Sequence, residues 1–171
     1  TTYSVFLKRI VLVDVLTLAG LYTTRIIAGA AAILVTPSFW LLAFSMFLFI
    51  SLAMVKRFAE LLGSQENKQD STMGRGYQLE DIETLGSHGA SAGYLSVLVL
   101  ALYINSPDVR ILYSRPEVIW LLCPLLLYWV SRVWLVARRG GMHDDPVVFA
   151  LNDKISRLLA AIAFLVVMLA L

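Results

Sequence analysis

SFWLLAFSMFLFISLAMVKRFAE, residues Ser38–Glu60, decides how the chain folds. It opens with about eighteen uncharged residues, and about 20 apolar residues at 1.5 Å each cross the hydrocarbon of a bilayer as a helix. It closes on Lys56-Arg57-Phe58-Ala59-Glu60. On a helix Lys56 and Glu60 stand one turn apart, with Arg57 three residues from Glu60. Two cations and a carboxylate therefore gather where the helix leaves the hydrocarbon. Ionisable groups are costly in lipid, so they are expected to face a cavity, a partner or the interface.

The composition agrees with that reading. Of 171 residues, 59% are hydrophobic and 15% charged, whereas a soluble domain is nearer half apolar and a quarter charged. Apolar segments recur at about Val11–Leu34, Ser38–Leu62, Ala90–Ile104, Glu117–Val136 and Ile155–Leu171. None alternates with the period of a barrel strand. The expected fold is an all-α, polytopic transmembrane bundle of about five spans. The third and fifth segments are short and need their flanks, Leu85–Gly89 and Val147–Lys154, to reach full length. A net charge of +2 gives no footprint for nucleic acid. The single Cys123 excludes an internal disulfide and reads as plain packing. The absence of an initiator Met and the apolar end at Leu171 suggest a piece of a longer chain.

Cations are distributed unevenly between the connections. Lys8, Arg9, Lys56, Arg57, Lys68, Arg75, Arg138, Arg139, Lys154 and Arg157 fall on one side, and Arg110 and Arg115 on the other. The positive-inside rule makes the first side cytoplasmic, in a bacterial-type inner membrane. That side carries the 63–87 loop, in which Tyr77–Leu85 is expected to form a short amphipathic helix with Leu79, Ile82 and Leu85 on one face. In the first span, Asp14 and Arg25 are separated by roughly 1100° of rotation and so share a face. They lie about 16 Å apart along the axis. Asp14 reads as a favourable first-turn acid. Arg25 reads either as a snorkelling residue or as part of a polar stripe. Gly20, Gly29, Gly89 and Gly93 are expected at close helix contacts. Trp120, Tyr128, Trp129 and Trp134 are expected mostly at lipid contacts and interfacial belts. His88 reads as a capping residue at the mouth of the third span. In His143-Asp144-Asp145-Pro146, the Asp-Pro step is a helix start, so capping is favoured over metal binding.

Three stretches carry a resemblance: Tyr3–Lys8 (YSVFLK), Lys56–Glu60 (KRFAE) and Met142–Asp153 (MHDDPVVFALND). With these the chain resembles the UbiA superfamily of intramembrane prenyltransferases, and within it the decaprenyl-phosphate phosphoribosyltransferase-like branch. The resemblance implies helices five to nine of a nine-helix fold, all in residues 1–171 as the C-terminal part of one membrane domain. It implies a transferase that joins a diphosphate donor, prenyl or phosphoribosyl, to an acceptor at the cytoplasmic face, with phosphoribosyl transfer to a polyprenyl phosphate as the leading form. Mg²⁺ is implied as cofactor. Its main ligands, the first aspartate-rich motif, would lie upstream with the missing N-terminal helices, and no metal ligand is assigned in this chain. The second aspartate-rich motif should fall near Lys56–Glu60 but is absent there. Lys and Arg contact phosphate oxygens directly, so Lys56 and Arg57 are expected to clamp the diphosphate. Glu60 would orient them or a donor hydroxyl. Tyr3, Lys8 and Arg25 are substrate-binding candidates. The expected partners are membrane lipids, the polyprenyl lipid substrate, the diphosphate donor and the missing helices. The competing readings are a catalytically silent membrane scaffold and a transporter segment.

Overall fold

A computed structural model describes residues 12–66, 76–142 and 145–171. Tyr3, Lys8, His143 and Asp144 lie outside the described residues. Among the described residues every regular element is a helix: α1 (Val13–Ala32), α2 (Phe39–Glu66), α3 (Asp81–Ile104), α4 (Pro107–Leu112), α5 (Pro116–Ile119), α6 (Leu122–Arg138), α7 (Pro146–Asn152) and α8 (Lys154–Ala170). Four helices are long and apolar enough to cross a membrane: Val13–Ala32, Phe39–Gln65, Asp81–Ile104 and the run Pro116–Arg138. The fifth expected span, α8, is also apolar but has only 17 residues.

The helices run alternately up and down. The start of α1, the end of α2, the start of α3, the end of α6 and the starts of α7 and α8 meet at one end, called here the charged end. The connections 33–38 and 105–115 lie at the far end. α2 is the central element: it packs along α3, with α1, α6 and α7 also against it. α3 approaches closely because Gly89 and Gly93 carry no side chain. A Cβ on Gly89 would come within 2.3 Å of Trp134 Cζ2 and 2.8 Å of Met54 Cβ, and one on Gly93 within 2.5 Å of Val130 Cγ1. Ser51 on α2 uses the space: its hydroxyl donates to the Gly89 carbonyl at 2.7 Å and accepts from Trp134 Nε1 at 3.1 Å. Gly20 and Gly29 have no such role here, since nothing lies within 4 Å of a Cβ added at either.

Three boundaries differ from the sequence reading, each for a local reason. Asp81–Leu85 is the first turn of α3 and not a separate surface helix. No proline stands between Asp81 and Gly89 to stop the helix, and Leu85, 1% exposed, is drawn into the core. The fourth span breaks at Trp120-Leu121. Pro124 has no N–H to offer the Trp120 carbonyl, which instead accepts from Cys123 N in a tighter turn. The last segment is two helices, since Asp153 adopts an extended backbone (φ −71°, ψ 125°) and caps α8 through Ser156 N. Trp134 is also a core residue, 6% exposed, stacked edge-on against Phe58. Its neighbours Trp120 and Tyr128 stay exposed as expected.

Candidate functional site at the charged end

The cations that close the Ser38–Glu60 stretch lie together at the charged end but in different surroundings. Arg57 is 4% exposed. Its Nε donates to Asp14 Oδ2 at 2.6 Å and its Nη1 to Glu60 Oε2 at 2.6 Å. Asp14 is fully buried. Its second oxygen accepts from the Tyr77 hydroxyl at 2.5 Å, and that hydroxyl accepts from the Leu12 N–H at 2.9 Å. Leu12 sits at φ 67° and ψ −32°, a positive-φ conformation that costs a leucine about 1–3 kcal/mol. Tyr77 thus satisfies a helix-start N–H at a strained residue. Burial and the bond to Asp14 raise the Tyr77 hydroxyl above its usual range, against a lowering contribution from the Leu12 N–H.

Lys56 points elsewhere. Its side chain is about one-third exposed (33%), and Nζ lies 2.6 Å from Asp145 Oδ2. Asp145 Oδ1 accepts from Val147 N and so caps α7, with Pro146 in its first turn as the sequence suggested. Burial pushes the Asp145 carboxyl upward. The Lys56 and Val147 hydrogen bonds and the charges of Lys56 and Arg57 outweigh that and hold it below its ordinary value. Beside the pair, Tyr22, Phe49 and Pro146 line a narrow cleft.

A second ion pair fixes the other end of α7. Arg132 forks onto Asp153 at 2.7 and 3.0 Å, and Asp153 also accepts from Ser156 N and Oγ. Burial raises Asp153, but the Ser156 and Arg132 bonds lower it further, leaving it below its ordinary value. Trp129 Nε1 donates to the same Ser156 hydroxyl at 3.1 Å. Trp129 and Ser156 border an apolar cavity of about 330 Å³ between α2, α3, α6 and α8, whose other walls include Phe44, Leu100 and Leu159.

Among the sequence-based candidates, Lys56, Arg57 and Glu60 come together. Arg25 does not join them. It is exposed on α1, its guanidinium 5.1 Å from the Tyr22 ring centre, and Tyr22 stacks on Phe49 at 5.0 Å. Asp14 and Arg25 therefore form no common polar stripe, because Asp14 turns into the α2 contact. Asp14 is more than the first-turn acid expected from the sequence. The apolar neighbourhood of a lone carboxylate was its signal, with Arg57 as the natural counter-ion. Tyr77 was read only as the start of a surface helix, with no role for its hydroxyl. His88 keeps to its own turn, with Nδ1 2.8 Å from the Thr84 carbonyl. Among the described residues no group of three or more His, Cys, Asp or Glu side chains converges as a metal site.

No protein-family model matches the chain, and no solved structure matches it. It is similar to two curated rhizobial proteins. One is the uncharacterized protein y4nM of Sinorhizobium fredii, 39% identical over 163 residues, covering 94% of this chain and 31% of that protein. The other is the nodulation protein NoeC of Azorhizobium caulinodans, 36% identical over 143 residues, covering 82% of this chain and 46% of that protein. The chain thus spans less than half the length of either relative.

Proposed function

We propose that the chain is the C-terminal part of a UbiA-type membrane transferase, helices five to nine of its bundle. It would join a diphosphate donor to a lipid acceptor at the charged end, in the form of phosphoribosyl transfer to a polyprenyl phosphate. The charged end would face the cytoplasm. The observation that carries this reading is Lys56, a partly exposed cation where α2 passes from apolar to charged residues, beside Arg57 and Glu60. The apolar cavity bordered by Trp129 and Ser156 supports a lipid acceptor. Both relatives are longer than this chain, as a protein with the further helices that the resemblance implies would be.

In the reaction an oxygen of the acceptor phosphate attacks the anomeric carbon of the donor. A carbon–oxygen bond to the acceptor forms, the bond to the diphosphate breaks, and pyrophosphate leaves with the electron pair. No oxidant or reductant takes part. Lys56 would meet the departing phosphates, whose charge competes with Asp145 for its ammonium. The alternative, a silent scaffold, draws on one observation: the Arg57 guanidinium is already engaged by two carboxylates. The test is transfer from phosphoribosyl diphosphate to polyprenyl phosphate by the full-length protein in membranes. Product formed by the native protein and lost in Lys56→Gln supports the transferase. No product from a correctly inserted native protein supports the scaffold.

A further inference from the structure

Lys56 and Arg57 are adjacent in sequence, and the resemblance treats them as one clamp. Their surroundings separate them. Arg57 is 4% exposed and spans two carboxylates, with Nε on buried Asp14 and Nη1 on Glu60. Glu60, in contrast, has 38% of its side chain exposed, one turn beyond Lys56 on the same helix. A guanidinium is a planar fork, so fixing one edge sets the direction of the other. Asp14 fixes that edge, and Tyr77 fixes Asp14: its hydroxyl donates to one carboxylate oxygen while Arg57 takes the other. The sequence Tyr77, Asp14, Arg57, Glu60 is thus a relay of hydrogen bonds from the buried base of the site to its exposed rim.

The geometry points to Asp14, Tyr77 and Arg57 as positioning residues that act through Glu60, and to Glu60 as the group at the rim that accepts hydrogen bonds from the hydroxyls of a sugar diphosphate donor, while Lys56 alone meets its phosphates. This rests on the transferase reading and assigns the two halves of its donor to different residues. A carboxylate repels phosphate and accepts from hydroxyls, so Glu60 discriminates a sugar diphosphate from bare pyrophosphate. Arg57, shielded between Asp14 and Glu60, adds nothing to phosphate affinity.

Equilibrium binding of phosphoribosyl diphosphate and of pyrophosphate to the full-length protein separates these roles. Glu60→Gln and Arg57→Gln should each weaken the sugar diphosphate about tenfold, the worth of one hydrogen bond to a charged group. Pyrophosphate affinity should stay within about twofold in Arg57→Gln and should hold or rise in Glu60→Gln, which removes a charge that repels phosphate. The double variant should lose no more than either single one, because the two residues act as one unit. Lys56→Gln should weaken both ligands alike. Tyr77→Phe keeps the buried ring and removes only the hydroxyl, so it decides the case if Arg57→Gln does not fold. A loss selective for the sugar diphosphate supports the relay, and an unchanged ratio of the two affinities overturns it. Arg57→Gln weakening pyrophosphate as much as the sugar diphosphate, or additive losses in the double variant, would also overturn it. A native protein that binds neither ligand refutes the transferase reading and the relay with it, whereas binding of both with the wrong variant pattern refutes the relay alone.

Discussion

The two ends of the bundle are built by different means. At the charged end, side chains distant in sequence pair across helices: Arg57 with Asp14, Lys56 with Asp145, Arg132 with Asp153. At the far end the chain is held by short helices, backbone bonds and apolar contacts. The Arg115 N–H donates to the Ala170 carbonyl at 3.0 Å, and Ile104, Val109, Ile119, Cys123 and Ala170 form a small core. The connection there leaves Ile33 and Leu34 71% and 95% exposed. Desolvating an ion pair costs several kcal/mol per ion, so buried pairs are weak evidence of stability by themselves. Their concentration at one end points to specific placement of polar groups there, and at the far end the described residues close the bundle without it.

Removing one partner of the buried pair should have the largest effect. Asp14→Ala leaves Arg57 buried without its inner partner and should cost about 3–5 kcal/mol in reversible unfolding from detergent. At the far end, Glu117→Ala should stay within about 0.5 kcal/mol. Equal losses at the two ends would erase the contrast between them.

A smaller effect is expected from helix packing. Gly89→Ala places a methyl group against Trp134 and should cost about 1–3 kcal/mol by overpacking. Gly29→Ala meets open space and should be neutral or gain up to about 1 kcal/mol from helix propensity. The same unfolding assay reads both.

The smallest effect concerns α7, whose two ends are tied by Asp145 and Asp153. Both carboxyls are held below their ordinary values in the folded chain. Their contribution is therefore complete above the unfolded carboxylate value of about 3.9 and lost as pH falls through the lower folded-state values. A spin label at exposed Val148 should stay ordered at neutral pH and become mobile only below about pH 4. Asp145→Asn should mobilise it at neutral pH.

Much of this architecture was legible in the sequence. Uncharged runs located the long helices, Asp145-Pro146 marked a helix start, and Lys56, Arg57 and Glu60 were grouped by helical spacing alone, although the helix runs on to Glu66. The partners were not legible. Local helix rules reach three or four residues, whereas Arg57 meets Asp14 across 43 positions, Tyr77 meets Asp14 across 63 and Lys56 meets Asp145 across 89. Trp134 was read as a lipid-facing aromatic because its notch, Gly89 with Ser51, comes from two other helices. The first turn of α3 was mistaken for a surface helix because its apolar spacing is the same in either setting. What differs is Leu85, which tertiary contacts bury.

The central claim is that a diphosphate donor engages the charged end and not the far end. Hydrogen exchange of the full-length protein in lipid nanodiscs, with and without phosphoribosyl diphosphate, tests it most directly. The account predicts added protection at the end of α2, at the Tyr77 segment and in α7, with α4 and α5 unchanged. Protection confined to α4 and α5, or no change anywhere at saturating donor, would contradict it.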